Sequence, residues 1–209
     1  IATALTNIRN AQSQEFGALV RGANLEGPFI SSQYKGAQEE KYIQKADFSL
    51  LEPFLDVIKI TTLAPELLED SSFMEKCLDN NIIVSLGHSG ATYEQALEAL
   101  RAGASHITHL FNAMSPLHHR APGLVGAALD THVKCELIAD NIHIHPAVQR
   151  LVYKAKAPEN IILITDSMRA CLLGDCESEL GGQKVYVKNG KATLADGSMA
   201  GSVAPMNKV

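Results

Sequence analysis

No stretch of this chain approaches the roughly 18 to 20 consecutive apolar residues of a membrane span, and no basic segment leads into a hydrophobic one at its start. The reading is a cytoplasmic protein without membrane association. Runs of lysine and arginine are missing too, and the net charge is -5, so the sequence lacks the basic footprint that nucleic acid would require. A small molecule or another copy of the chain is the expected partner. Cysteine is scarce, at four residues. Cys77 and Cys135 lie among apolar neighbours, and Cys171 and Cys176 match neither a zinc knuckle nor a C-x-x-C redox pair, so reduced thiols are expected. Internal repeats, low-complexity segments and Pro/Ser-rich linkers are also lacking, which leaves one domain over residues 1–209.

What the chain does have is enough apolar residues for one sizeable core, 46% of the total, arranged in a rhythm. Six short runs rich in β-branched and other apolar residues recur at 19–25, 56–60, 82–86, 106–110, 134–139 and 161–165. Each ends in polar or small residues and is followed by helical spacing, most legibly at 71–80, 92–102 and 146–155. Continuous apolar strands alternating with helices indicate a parallel sheet covered on both faces. The predicted unit is strand then helix, six times over. After Asp166 the texture changes: residues 181–195 alternate in polarity and turn at Asn189-Gly190, which predicts an antiparallel β-hairpin appendage.

The C-terminal ends of parallel strands are where α/β folds present their sites. Glu26, His88, His109 and Asp166 each close one of the predicted strands. A lone histidine at a strand end is more often a hydrogen-bonded structural residue than a ligand, and a lone aspartate is often a helix N-cap. Four coincident strand ends outweigh that reading. One carboxylate and two imidazoles suit a borderline divalent cation and leave a position open for water. Water bound to such an ion supplies hydroxide near neutral pH, and Asp166 could take its proton. His106, at the start of its strand, and His132 are expected to be structural.

The segments Asn24-Leu25-Glu26-Gly27-Pro28, Gly87-His88-Ser89-Gly90 and Thr108-His109-Leu110-Phe111-Asn112-Ala113-Met114 resemble successive motifs of the N-acetylglucosamine-6-phosphate deacetylase family. Asp140-Asn141-Ile142-His143, Thr165-Asp166 and Ala200-Gly201-Ser202 continue the series in order. The resemblance implies an amidohydrolase (β/α)8 barrel, here incomplete, with about six strands where eight are needed. It implies hydrolysis of the acetamide of N-acetylglucosamine 6-phosphate to glucosamine 6-phosphate and acetate. Glu26, His88 and His109 would hold one divalent ion, zinc first, with iron, manganese or cobalt as alternatives, and Asp166 would be the catalytic acid/base. Asn112, Ala113, Arg120, His143 and the backbone of Met199, Ala200 and Gly201 would contact substrate, with Gln38 a weaker candidate. Arg120 offers a planar fork matched to phosphate, although on sequence alone it reads equally as a solvated loop cation. Family members often form homodimers.

Departures from the family pattern are informative. Asn24 stands where histidine is common, and Asn141 where glycine is usual, a position whose positive φ asparagine tolerates. The H-x-H motif of the family's first strand does not precede Glu26, while His143-Ile144-His145 lies far downstream, so one metal at most is expected. The chain reads as an internal piece of a longer enzyme, with weak activity or none by itself. An N-acetylgalactosamine-6-phosphate deacetylase and a noncatalytic sugar-phosphate-binding fragment remain as alternatives.

Overall fold

The computed structural model describes residues 1–14 and 17–209. Six parallel strands form one sheet in sequence order: β1 (Ala23–Glu26), β2 (Ile58–Leu63), β3 (Ile83–Leu86), β4 (His106–Ile107), β5 (Lys134–Leu137) and β6 (Ile161–Leu163). All six expected runs yield a strand: the last four are trimmed, β1 and β2 start later and run beyond the expected ends, and residues 19–22 fall outside β1 altogether. The sheet curls into a half-barrel. Among the described residues β1 and β6 each pair on one side only.

The helices form where local chemistry favours them. α2 (Ser72–Asp79), α3 (Tyr93–Arg101) and α5 (Pro146–Ala155) match the predicted spans within a residue or two. Thr92 caps α3 through a capping box with Gln95, and Pro146 opens α5 behind a His145 side chain that accepts from the Ala147 amide. α4 (Gly123–Asp130) buries Gly123 through Ala128 continuously, as a helix enclosed on all sides must. An additional helix, α1 (Ala2–Gln12), precedes the sheet.

The six-fold strand-then-helix expectation needs correction. Only β2 to β5 are followed by an α-helix. After β1 the chain runs through four short 3-10 turns between Ser32 and Phe54, and after β6 it enters antiparallel structure. The expected hairpin is also larger than read: β8 (Gln183–Lys188) and β9 (Lys191–Thr193) turn at Asn189 and Gly190, both at positive φ, and β7 (Cys176–Leu180) adds a third strand.

Two apolar cores result. The larger joins the sheet to its helices, with Leu51, Val57, Val84, Leu86, Ile107, Leu110 and Leu124 fully buried. The smaller collects Met168, Val185, Val187, Ala192 and Ala200 under the three-stranded sheet, and Ala37 from the loop after β1 packs against it. Cys77 and Cys135 are free and buried, and burial pushes their thiols up to about 12 and about 11, away from reactivity. No helix among the described residues is long and apolar enough to cross a membrane.

Candidate metal centre and cleft

Glu26 is the last residue of β1, and His88 and His109 each lie two residues beyond β3 and β4. The parallel registers of β1 to β4 bring these three ends to one edge of the sheet. His88 Nε2 lies 2.9 Å from Glu26 Oε1, His109 Nε2 lies 3.0 Å from His88 Nε2, and His109 Nε2 lies 3.6 Å from Glu26 Oε1. Tight backbone packing makes this possible. A Cβ at Gly87 would stand 2.7 Å from Thr108 Cβ, so only glycine lets the turn into His88 close over the next strand. Beneath it the hydroxyl of Thr108 hydrogen-bonds those of Thr62 and Ser85, at 2.8 and 2.6 Å.

The donor set fits a divalent ion. Tetrahedral coordination at about 2.0–2.1 Å separates ligand atoms by about 3.3 Å, a value the three observed distances bracket. His88 is in the correct tautomer, because its Nδ1 donates to the Tyr34 carbonyl oxygen at 2.7 Å and so leaves an Nε2 lone pair. Among the described residues, buried His109 Nδ1 has no hydrogen-bond partner. Electrostatics agree with the geometry. Burial opposes the charged form of Glu26, yet the hydrogen bond from His109, with the His88 imidazole beside it, holds its carboxyl well below the usual carboxylate range. Burial likewise opposes a charged His109, but Glu26 by hydrogen bond and charge, with Asp166 beyond, pushes the imidazole up to about 9.

A cleft of about 670 Å³ opens over these residues and is lined by Gln38, Asn112, Ala113, His143, Asp166, Met199 and Gly201 among others. Burial, reinforced by the Glu26 charge, pushes the Asp166 carboxyl up to about 6. The backbone around it is tied to the segment beyond β9: Ser202 N–H donates to the Asp166 carbonyl, and Met168 N–H to that of Ser202. Gln38 Nε2 reaches Glu26 at 3.4 Å across Gly27, where a Cβ would collide with the Gln38 side chain. Two residues expected to contact substrate, Ala200 through its backbone and Arg120, are not among those lining the cleft. Ala200 is wholly buried, between residues that face the cleft. Arg120 is exposed outside the cleft lining, its Nη1 2.7 Å from His119 Nε2.

No protein-family model matches the chain. The N-acetylglucosamine-6-phosphate deacetylase of Bacillus subtilis (strain 168) is 45% identical over 218 residues, covering 100% of this chain and 55% of the relative. The chain belongs to the N-acetylglucosamine-6-phosphate deacetylase family. It spans about half the length of the curated relatives it matches. A mutant of the family's Mycobacterium smegmatis enzyme, solved in complex with N-acetyl-D-glucosamine 6-phosphate, superposes with a TM-score of 0.92 at 31% identity over 99% of this chain and 55% of that one. The family's neighbourhood also holds an N-acetylgalactosamine-6-phosphate deacetylase of Escherichia coli O157:H7, 39% identical over 89% of this chain and 50% of the relative.

Several residues at the site escaped the sequence reading. Asp140 accepts the Ile142 and His143 amides and, through Oδ2, the His143 Nδ1–H at 2.7 Å. Glu66 accepts the Ser89 hydroxyl and the Gly90 amide beside His88. Each stands three residues past its strand, β5 or β2, as Asp166 does past β6, so the strand-end signal extended by a few residues could have found them. Asn24, a departure in the family motif, is exposed; the side-chain amide that touches Glu26 is that of Gln38. Asn141 does adopt positive φ, at 66°.

Proposed function

We propose that this chain carries the metal-binding and acid/base residues for hydrolysing the acetamide of N-acetylglucosamine 6-phosphate, giving glucosamine 6-phosphate and acetate. The observation that carries the proposal is the convergence of Glu26, His88 and His109 within 4.8 Å of one another, at a cleft that Asp166 also lines. A divalent ion held by the three would supply Lewis acidity and a water of lowered pKa. Asp166, with a carboxyl poised near 6, takes the proton of the attacking water and returns it to the departing amine nitrogen. Asp140 holds His143 by Nδ1, so the ring offers Nε2 to the substrate's carbonyl oxygen. Gln38, Asn112, Ala113, Met199 and Gly201 wall the sugar, with Ala200 buried behind them. Arg120 and His119, on the loop that follows Asn112 and Ala113, supply donors for the 6-phosphate. Residues 1–209 act as one partial barrel domain, including the hairpin over 181–195, and zinc is the proposed ion.

The test is zinc content and acetate release on one preparation, with N-acetylglucosamine 6-phosphate and N-acetylgalactosamine 6-phosphate assayed side by side. Metal-dependent release from the glucosamine epimer is expected. Faster release from the galactosamine epimer would favour the second reading, which the Escherichia coli relative motivates. Stoichiometric zinc without turnover of either sugar would favour a sugar-phosphate-binding module.

A further inference from the structure

Glu136 lies in β5 with 5% of its surface exposed, and the mechanism above does not use it. Its strand neighbour Cys135 points its thiol at the α4 carbonyl of Ala128, so Glu136 projects from the opposite face of the sheet. There its Oε1 accepts from Nε2 of buried His106 at 3.1 Å, and its Oε2 accepts the backbone N–H of His109 at 3.1 Å. The Glu136 carbonyl oxygen accepts the next amide, that of Leu110, at 2.9 Å. One residue therefore clamps two successive amides where the chain leaves β4.

That clamp falls at a strained place. His109 has φ +27°, Phe111 φ +77° and Ala113 φ +50°, in the left-handed region that L residues avoid. A metal-binding imidazole is ordinarily oriented through its second ring nitrogen. His88 is held in this way by the Tyr34 carbonyl, but among the described residues His109 Nδ1 has no partner. Its ring packs edge-on against His88, with centroids 4.8 Å apart, and is otherwise aimed by the backbone that carries it, whose amide is held by the Glu136 side chain. His106 completes the arrangement: a carboxylate only accepts, so the His106 Nε2 facing it carries the proton and keeps the other oxygen free for His109.

We infer that Glu136, oriented by His106, is a positioning residue that fixes His109 for the divalent ion. The inference rests on the metal reading above. Neither Glu136 nor His106 lines the cleft, so both act through His109 rather than on substrate.

The test uses the full chain, metal-free, titrated with cobalt(II) and zinc(II) against a competing chelator, with the visible spectrum of bound cobalt as a second readout. The informative variant is the double substitution Glu136→Met with His106→Leu, which replaces a buried pair by apolar side chains of comparable volume and leaves the His109 amide without its acceptor. Expected are a roughly 10- to 100-fold loss of metal affinity and a shifted cobalt spectrum in a protein whose circular dichroism is unchanged. A folded double variant with wild-type affinity and spectrum would overturn the inference. Should that variant not fold, Glu136→Gln decides. It keeps an oxygen for the His109 amide, so affinity within about threefold of wild type is expected, and a loss of tenfold or more in that isostere would overturn the clamp. Wild-type protein titrated alongside separates the two readings. Failure to bind stoichiometric cobalt there overturns the metal assignment and this inference together; equal binding by wild type and double variant overturns this inference alone.

Discussion

The Nε2 atoms of His88 and His109 face each other at 3.0 Å, and because His88 spends its proton on the Tyr34 carbonyl, the proton between the two rings belongs to His109. Metal must displace it. With His109 pushed up to about 9, apparent zinc affinity should rise about tenfold per pH unit through the neutral range and level off above about pH 9, with one proton released per ion. Calorimetry in buffers of different ionisation enthalpy measures that proton directly, and no release at pH 7 would contradict the assignment. The sign reverses for the metal-free fold. A raised imidazole contributes stability that is complete below its ordinary value of 6.5 and is lost as pH rises through about 9, so metal-free Tm should fall across that interval.

His109→Ala removes one of the three proposed ligands. Zinc should drop from about one per chain to background by elemental analysis. Full occupancy in the variant would place the ion elsewhere.

Asp166→Asn keeps the shape of the side chain and all three ligands but cannot cycle a proton. In a preparation that releases acetate, kcat should fall by roughly 10²- to 10⁴-fold while zinc content holds. Wild-type turnover in this variant would mean that another group moves the proton.

The strand ends and the residues on them were legible because buried parallel strands are short apolar runs, and a charged or imidazole side chain at the close of one is conspicuous. β1 to β6, Glu26, His88, His109 and Asp166 were all read this way. The family resemblance added His143, Gln38 and the segment around Ala200. What stayed hidden depends on pairing across the sequence. Glu136 looks like an ordinary polar residue inside a strand until β4 is laid beside β5, and Asp140 looks like a loop residue until His143 turns back on it. α1 carries little amphipathic signal, with Leu5 its only buried residue. The region after β1 reads as helix-forming, but the 3-10 turns with Pro53 and the Asp47 cap divide it.

Lys156, 4% exposed, donates to the carbonyl oxygens of Ala128, Thr131 and Val133 at 2.9, 2.7 and 2.6 Å. It ties the end of α5 to the end of α4 and the entry of β5. Lys156→Met should destabilise by roughly 2–4 kcal/mol in urea denaturation, because buried carbonyls lose a charged donor, without altering metal affinity. A change below about 0.5 kcal/mol would show that water replaces the ammonium.

The sheet's two outer strands carry amides without a strand partner on one side. Hydrogen exchange should be faster across β1 and β6 than across β2 and β3, whose amides are enclosed on both sides. Uniform protection would indicate that something covers the outer edges in solution, such as a second copy.

His88, His109 and Asp166 all sit at positive φ, at 48°, 27° and 51°. Few side chains settle there: asparagine, aspartate and histidine do so far more readily than cysteine, glutamate or any β-branched residue. The set of residues that can be tried at these positions is therefore filtered by the main chain before any question of ligand chemistry arises. A redesign of the site for another ion has an accessible route through His109→Asp, which keeps a donor atom on a compatible backbone, and a steep one through His109→Cys. The same filter would act on drift in nature, holding the three positions to a narrow alphabet even in a descendant released from selection on its chemistry.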